Sequence, residues 1–392
     1  MKHLKDVALA GKRVLVRVDI NVPFAENGHI SDDSRIQQVL PTLEYIRKEG
    51  GRLILAAHRG RPQGQVREEY RLAPVAAHLA GLIDAPVAVA PDCVGTEVEG
   101  MVAELAPGAV LMLENLRFHP EETANDPDFS AALGRLADVY VNDAFAASHR
   151  AHASVVGVVS HVAERAAGFL LAKELDFFNR AMENPARPLV AIVGGAKVST
   201  KIGALEHMLE RVDKMIIGGA MANTFLKSHG ADMGGSLVED DLLDTARTFL
   251  TKAGEKGVKV YLPVDFVAAS HFGADAATKT VTCQDMVPQW LALDIGPATA
   301  IYFTEALADA RTIVWNGPLG AFEMAPFARG TMAVCHAVAA AHALTVTGGG
   351  DINAAIQQAG VAAQISYMST GGGAFLRLME GKSLPGVDAL LH

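Results

Sequence analysis

Residues able to do chemistry fall into two groups, one in each half of the chain. In the first half, polar and cationic side chains follow short apolar runs. Asp19 and Asn21 come after RVLVRV, His58 and Arg61 after LILAA, and Arg117 after VLML; Asn142 and Asp143 close VYV, and Arg150 follows shortly after. A single surface Arg is ordinarily a solvated charge. Three run-ends that each bring Arg or His would instead concentrate positive potential in one pocket, and the planar guanidinium suits bidentate contact with phosphate or carboxylate. The ligand expected there is small and multiply anionic. His58 either donates to that anion or buttresses its loop. Arg35, at the start of an amphipathic segment, is placed to offset charge on a group in transfer.

The second half offers glycines. VGGAKVSTK closes an apolar run: Gly194 and Gly195 permit a tight turn and close ligand approach, Lys197 supplies a point charge, and Lys201 follows four residues later. WNGPLGAFE (Trp315–Glu323), GGGD (Gly348–Asp351) and STGGGA, with Gly371–Gly373, also follow apolar runs or open helical patterns. Loops of this kind bind phosphates through backbone N–H groups. Neither GxxxxGK[ST] nor GxGxxG occurs, so a Walker-type site and the dinucleotide fingerprint are both unsupported. Asp351 reads as a magnesium-side carboxylate or as a helix cap, and Glu323 as a ribose contact, a cap or a surface charge.

Positioning these groups calls for alternating strands and helices, and the sequence has that rhythm. Runs at 13–20, 52–57, 87–90, 110–113 and 139–142, then at 189–193, 215–217, 258–262, 312–315 and 344–347, read as buried strands. Ser34–Lys48 carries an apolar stripe through Ile36, Val39, Leu40, Leu43 and Ile46, although Pro41 interrupts its bonding; Lys201–Val212 reads as a second helix. A long helical stretch over His161–Met182, followed by ENPARP, separates two α/β units. The fold class expected is α/β, with two doubly wound, predominantly parallel sheets joined by a long helix and a ligand cleft between them. At 392 residues, half of them hydrophobic, the chain can fill two cores. Its formal charge of −10 lacks the basic face that nucleic acid requires. Cys93, Cys283 and Cys335 match no disulfide or zinc spacing and read as small core residues. The N-terminus lacks a signal-type apolar segment and no run is long enough to span a bilayer, so a cytoplasmic protein with no membrane partner is expected.

Taken in order and spacing, RVLVRVDINVPF, HRGRP, ENLRFHPEE, NDAFAASHRAHAS, GGAKVSTKI, GGAMANTF, LPVDF, WNGPLGAFE, GGGD and STGGGAFLRLMEGKSLPGV resemble the phosphoglycerate kinase family across almost the whole chain. The resemblance implies a 3-phosphoglycerate domain over 1–170, a linker over 171–187, a nucleotide domain over 188–370, and residues 371–392 returning toward the first domain. It implies that Asp19, Asn21, Arg35, His58, Arg61, Arg117 and Arg150 bind 3-phosphoglycerate or 1,3-bisphosphoglycerate. Lys197, Lys201, Gly219, Asn316, Glu323, Gly349, Gly350, Asp351 and Ile352 would surround ATP or ADP, with Asp351 on the Mg²⁺. Arg35, Lys197, Gly349 and Gly372 would serve the transfer itself, in a monomer that closes on its substrates. The chain departs from the family at Ile352, where Thr or Ser is common, at Arg59 in place of Leu, and at Phe375 and Arg377. The competing readings are an NAD-dependent oxidoreductase and a noncatalytic scaffold of the same fold.

Overall fold

The computed structural model describes residues 1–391. The chain divides into two compact units, one formed by Met1–Leu175 together with the residues from Ser383 onward, the other by Asp176–Lys382.

The first unit is built on six strands: β1 (Arg13–Val18), β2 (Arg52–Ala56), β3 (Val87–Val89), β4 (Val110–Met112), β5 (Val139–Asp143) and β6 (Glu164–Ala167). Their order is β3-β4-β2-β1-β5-β6, and every pairing is parallel. A parallel sheet needs cover on both faces, which is why β1, β2, β4 and β5 are apolar almost without alternation. The helix Ser34–Lys48 runs unbroken through Pro41 and buries Ile36, Val39, Leu43 and Ile46 against this sheet.

The second unit has two sheets. β7 (Leu189–Val193), β8 (Lys214–Ile217), β9 (Lys259–Tyr261), β13 (Thr312–Asn316), β14 (Leu344–Gly348) and β15 (Tyr367–Ser369) form a parallel sheet in the order β15-β14-β13-β7-β8-β9. The second, absent from the sequence reading, is antiparallel, in the order β11-β10-β12: β10 (Asp265–Ala269), β11 (Thr278–Thr282) and β12 (Leu291–Ile295). Most of β11 is exposed, so no apolar run announces it.

The stretch His161–Met182 is not one helix, as its composition suggests. Glu164–Ala167 pairs with β5, and the helix begins only at Phe169. Gly168 makes the break: a Cβ there would overlap the Asp143 carboxylate, while the Leu171 N–H beyond it donates to Asp143 Oδ1 at 3.1 Å. Of the segment expected to return, residues 371–382 stay with the second unit. Phe375 is buried there, edge-on to Phe178 with ring centroids 5.7 Å apart. From Ser383 the chain belongs to the first unit, where Gly386 N–H donates to Ser148 O at 3.0 Å.

Candidate active site

Strand ends set the first cluster. Asp19 leaves β1 and accepts from Arg35 Nη1 at 2.8 Å, so the carboxylate that is 7% exposed anchors the guanidinium at the helix start. The loop after β2 turns at Gly60, which has φ of +63° and no room for a Cβ beside the Tyr70 ring. Both sides of that glycine are clamped: its N–H donates to Asn21 Oδ1 at 3.0 Å, and its carbonyl accepts from Arg117 Nη1 at 2.8 Å. The Asn21 N–H donates to Asp19 Oδ1 at 3.4 Å, so Asp19, Asn21, Arg35 and Arg117 belong to one connected set, and His58 lies near enough to feel the charges of Arg117 and Arg35. Arg61 is exposed and bonds to nothing among the described residues; Arg150 is exposed and reaches His149 Nε2 at 3.1 Å. Burial, followed by the charges of Arg17 and Arg150, pushes Arg117 down to about 10, which still leaves it a cation at neutral pH. Arg59 has a structural account. Its guanidinium lies 3.6 Å from the Phe24 ring centroid and donates to Arg71 O at 2.9 Å.

Behind this cluster lies machinery that the sequence reading missed. Arg17, only 1% exposed, donates to Ser154 Oγ at 2.9 Å and to Val18 O, and meets His58 Nδ1 at 2.9 Å. Ser154 in turn donates from Oγ and from its backbone N–H to the fully buried Glu122, at 2.7 and 2.9 Å. An Arg in the middle of RVLVRV was the available signal, since a strand buried on both faces carries a cation only when it is paired.

In the second unit the elements converge on Asn316, at the end of β13. Lys201 Nζ donates to its side-chain oxygen and, at 3.2 Å, to its carbonyl; Asn316 Nδ2 donates to Gly348 O. Glycines permit the crowding. A Cβ on Gly194 would overlap Pro318 O, and one on Gly219 (φ +67°) would lie 2.6 Å from Gly195 N. Gly349 (φ +124°) caps the helix Gly350–Gln358, and Gly371 caps the helix Gly372–Met379. A Cβ on Gly372 would lie only 3.3 Å from Gly349 Cα, so two helix N-termini with free N–H groups stand side by side. Burial lowers Lys201 to about 8, against the opposing charge of Asp351.

A cavity of about 530 Å³ reaches the first of these termini at Asp351. Gly195, Gly219, Glu323 and Asp351 line it, and its apolar walls come from Phe266 of β10, Leu291, Ala292 and Leu293 of β12, and Leu237 and Phe272. The antiparallel sheet therefore builds the slot that a flat base would need. Asp351 is the second residue of its helix and makes no cap, so the capping reading fails; its exposed oxygen donors face the cavity. Glu323 also lines the cavity, and Lys197 is exposed at the loop after β7. Ile352 points elsewhere: its side chain is fully buried in the unit's core, leaving only its backbone N–H at the helix start.

Cys93 and Cys335 are buried and Cys283 is half-buried. Cys93 has donor neighbours that the spacing reading did not foresee. Asp92, Cys93 and His119 bring ligand-type atoms within 4.8 Å, but Asp92 Oδ1 is already engaged by His119 Nε2 at 2.7 Å and Cys93 N–H at 2.6 Å.

A cationic anion-binding cluster on one α/β unit, and on another a base-sized slot beside paired helix N-termini, are the equipment of a small-molecule phosphotransferase. A profile of the family described as phosphoglycerate kinase matches residues 4–382, and the chain belongs to that family. It is 65% identical to a phosphoglycerate kinase of Desulfotalea psychrophila over 390 residues, covering all of both chains. It is 54% identical to one of Geobacter metallireducens, covering 98% of this chain and 96% of that one. Among solved structures, the phosphoglycerate kinase of Coxiella burnetii superposes with a TM-score of 0.89 at 41% identity, over 99% of this chain and 98% of that one. That of Pyrococcus horikoshii gives 0.86 at 33%, over 100% and 98%.

Proposed function

We infer that this chain catalyses the reversible, magnesium-dependent conversion of ADP and 1,3-bisphosphoglycerate to ATP and 3-phosphoglycerate. The observation that carries the reading is the second unit's cavity, which joins apolar walls to an exposed Asp in the first turn of one helix, while a second helix N-terminus and a half-buried Lys lie beside the same glycine loops. The nucleotide's base lies against Phe266 and Leu291–Leu293, Glu323 meets the ribose, and the phosphates lie toward Gly349, Gly350, Gly372, Lys201 and Lys197. Asp351 holds the magnesium ion carried by the nucleotide, which offsets phosphate charge; an exposed carboxylate in the cavity lining is a suitable hard donor.

The first unit holds the phosphoglycerate. Arg117, Arg61, Arg150 and His58 take its phosphate and carboxylate oxygens, and Asp19 and Asn21 set Arg35 and the Gly60 loop around it. The acceptor oxygen is a carboxylate, already ionised at neutral pH, so no general base is needed. What the chain must supply is charge compensation and alignment. Arg35 and Lys197 serve the phosphoryl group in flight, and N–H groups at Gly349 and Gly372 its equatorial oxygens. The domain assignment follows: phosphoglycerate on the N-terminal unit, nucleotide on the second. A monomer working in the cytoplasm completes the reading; among the described residues no helix is long and apolar enough to cross a membrane.

Purified protein given ADP, 1,3-bisphosphoglycerate and Mg²⁺ should form ATP in a coupled assay. Folded protein that binds both substrates yet gives no turnover would be a scaffold, and the proposal would fall.

A further inference from the structure

His58 meets a group that cannot accept a hydrogen bond. A guanidinium carries only donors, and Arg17 Nη2 stands 2.9 Å from His58 Nδ1. Nδ1 must therefore present its lone pair, and the proton of the neutral ring sits on Nε2. An imidazolium would set N–H against N–H, with the charges of Arg117 and Arg35 adding to the unfavourable surroundings. Burial first, then Arg17 and those neighbours, holds His58 well below the usual histidine range. The nearby acids do not reverse this. Asp19 is paired with Arg35, and Glu122 is turned to Ser154. His152, 3.7 Å from Glu122, is itself lowered to about 4.

Arg17 is equally fixed. Its Nε donates to Ser154 Oγ, whose own proton goes to Glu122, so the countercharge lies one hydroxyl away. Such a relay holds a fully buried guanidinium in a single orientation.

We infer that Arg17 is a positioning residue: through the Glu122–Ser154–Arg17 relay it locks His58 in the neutral Nε2–H tautomer, so that His58 meets the substrate anion as a directed donor and not as a cation. The inference deepens the reading of His58 as an anion contact and rests on it. Nε2 makes no bond among the described residues, and His58 keeps 7% of its surface exposed. A neutral donor whose protonation is constant gives this part of the site a recognition strength that does not vary across physiological pH.

Long-range proton–nitrogen NMR of the imidazoles in the unliganded wild-type protein tests the tautomer directly. Between about pH 6 and 8, His58 should show a pyridine-type Nδ1 and a pyrrole-type Nε2, unchanged with pH. An Nδ1–H tautomer, or a ring that titrates in that range, overturns the inference. In Arg17→Met the still-buried ring should lose the single tautomer and show averaged Nδ1 and Nε2 signals, and Arg17→Lys, which keeps a cationic donor, should partly restore it; an Arg17→Met ring unchanged from wild type also overturns it. If Arg17→Met does not fold, the wild-type spectrum and two His58 variants decide. His58→Gln returns an N–H near the place of Nε2, whereas His58→Asn is too short. Asn should raise KM for 3-phosphoglycerate about tenfold with kcat nearly unchanged, and Gln should recover most of that loss. Equal KM values for both variants and wild type, with the tautomer intact, would overturn the anion-contact reading of His58 and leave the Arg17 lock standing.

Discussion

Raising the pH from 7 to 9 should strip the charge from Lys201 and weaken nucleotide binding about tenfold, or 1.4 kcal/mol. The magnitude follows from the site. Lys201 Nζ gives two of its three protons to Asn316, one to the carbonyl and one to the side-chain oxygen, which leaves one for a ligand. Burial lowers its pKa to about 8, the free-site value that matters here. At pH 7 about nine-tenths of the sites carry the proton, and at pH 9 about one-tenth. A bound phosphate restores the proton, so binding at high pH must take one up from solvent. Nucleotide phosphates finish ionising near pH 6 and leave this window clean. Titration calorimetry of ADP with Mg²⁺, in buffers of different ionisation heat, reads both quantities. The dissociation constant should rise tenfold across the window, and proton uptake should pass through about half a proton near pH 8. Lys201→Gln should bind more weakly at pH 7 and show no slope. A wild-type constant flat from pH 7 to 9, with no proton uptake, would refute the claim that the half-buried ammonium holds nucleotide phosphate.

Two further outcomes follow from burial. Ile352→Thr places a hydroxyl in the core and should lower unfolding stability by about 1–3 kcal/mol while leaving nucleotide affinity unchanged; thermal melts and calorimetry on the same samples check it, and an unchanged melt with altered affinity would show that residue 352 faces the ligand. Asp143 is raised to about 7, chiefly by burial, while its bonds to Thr42 and to backbone N–H groups at Leu170 and Leu171 pull the other way. The folded state thus holds a proton that the unfolded state releases near pH 4, so this group's contribution is complete below that and is lost as pH rises toward 7. Asp143→Asn should remove that part of the slope, and urea midpoints at pH 5 and 8 that differ equally in both proteins would contradict it.

Elements were legible where a local signal existed. The β1, β7 and β13 runs are apolar because a parallel sheet buries both faces, and that alone placed Asp19, Gly194 and Asn316 at strand ends. Ser34–Lys48 ended where its stripe ended, and Pro41 did not break it. β11 was invisible for the opposite reason: TKTVT is mostly exposed and holds its place through pairing with β10, a partner set by the fold. The strand Glu164–Ala167 was hidden because ERAA has helical composition; its pairing with β5, and Gly168 against Asp143, override that preference.

The site was legible to the depth of its glycines and charges and no further. Types and spacing identified the residues that leave the strands, but not the order in which they depend on one another. Asn21 does not stand free toward a ligand; it holds Gly60 N–H while Arg117 holds the same residue's carbonyl, so the loop carrying Arg61 is set by two groups that sequence treats as independent contacts. Ile352 shows the same limit from the other side, since a helix start presents backbone to the ligand and side chain to the core at one position. Arg17 is the strongest case. A cation within an apolar strand has no local partner, and its countercharge, Glu122, lies more than a hundred residues away in sequence, bridged by Ser154. A charge buried so deeply is tolerated only when its donors are satisfied, so an unexplained Arg inside a strand run is evidence of a relay even before the partners are known.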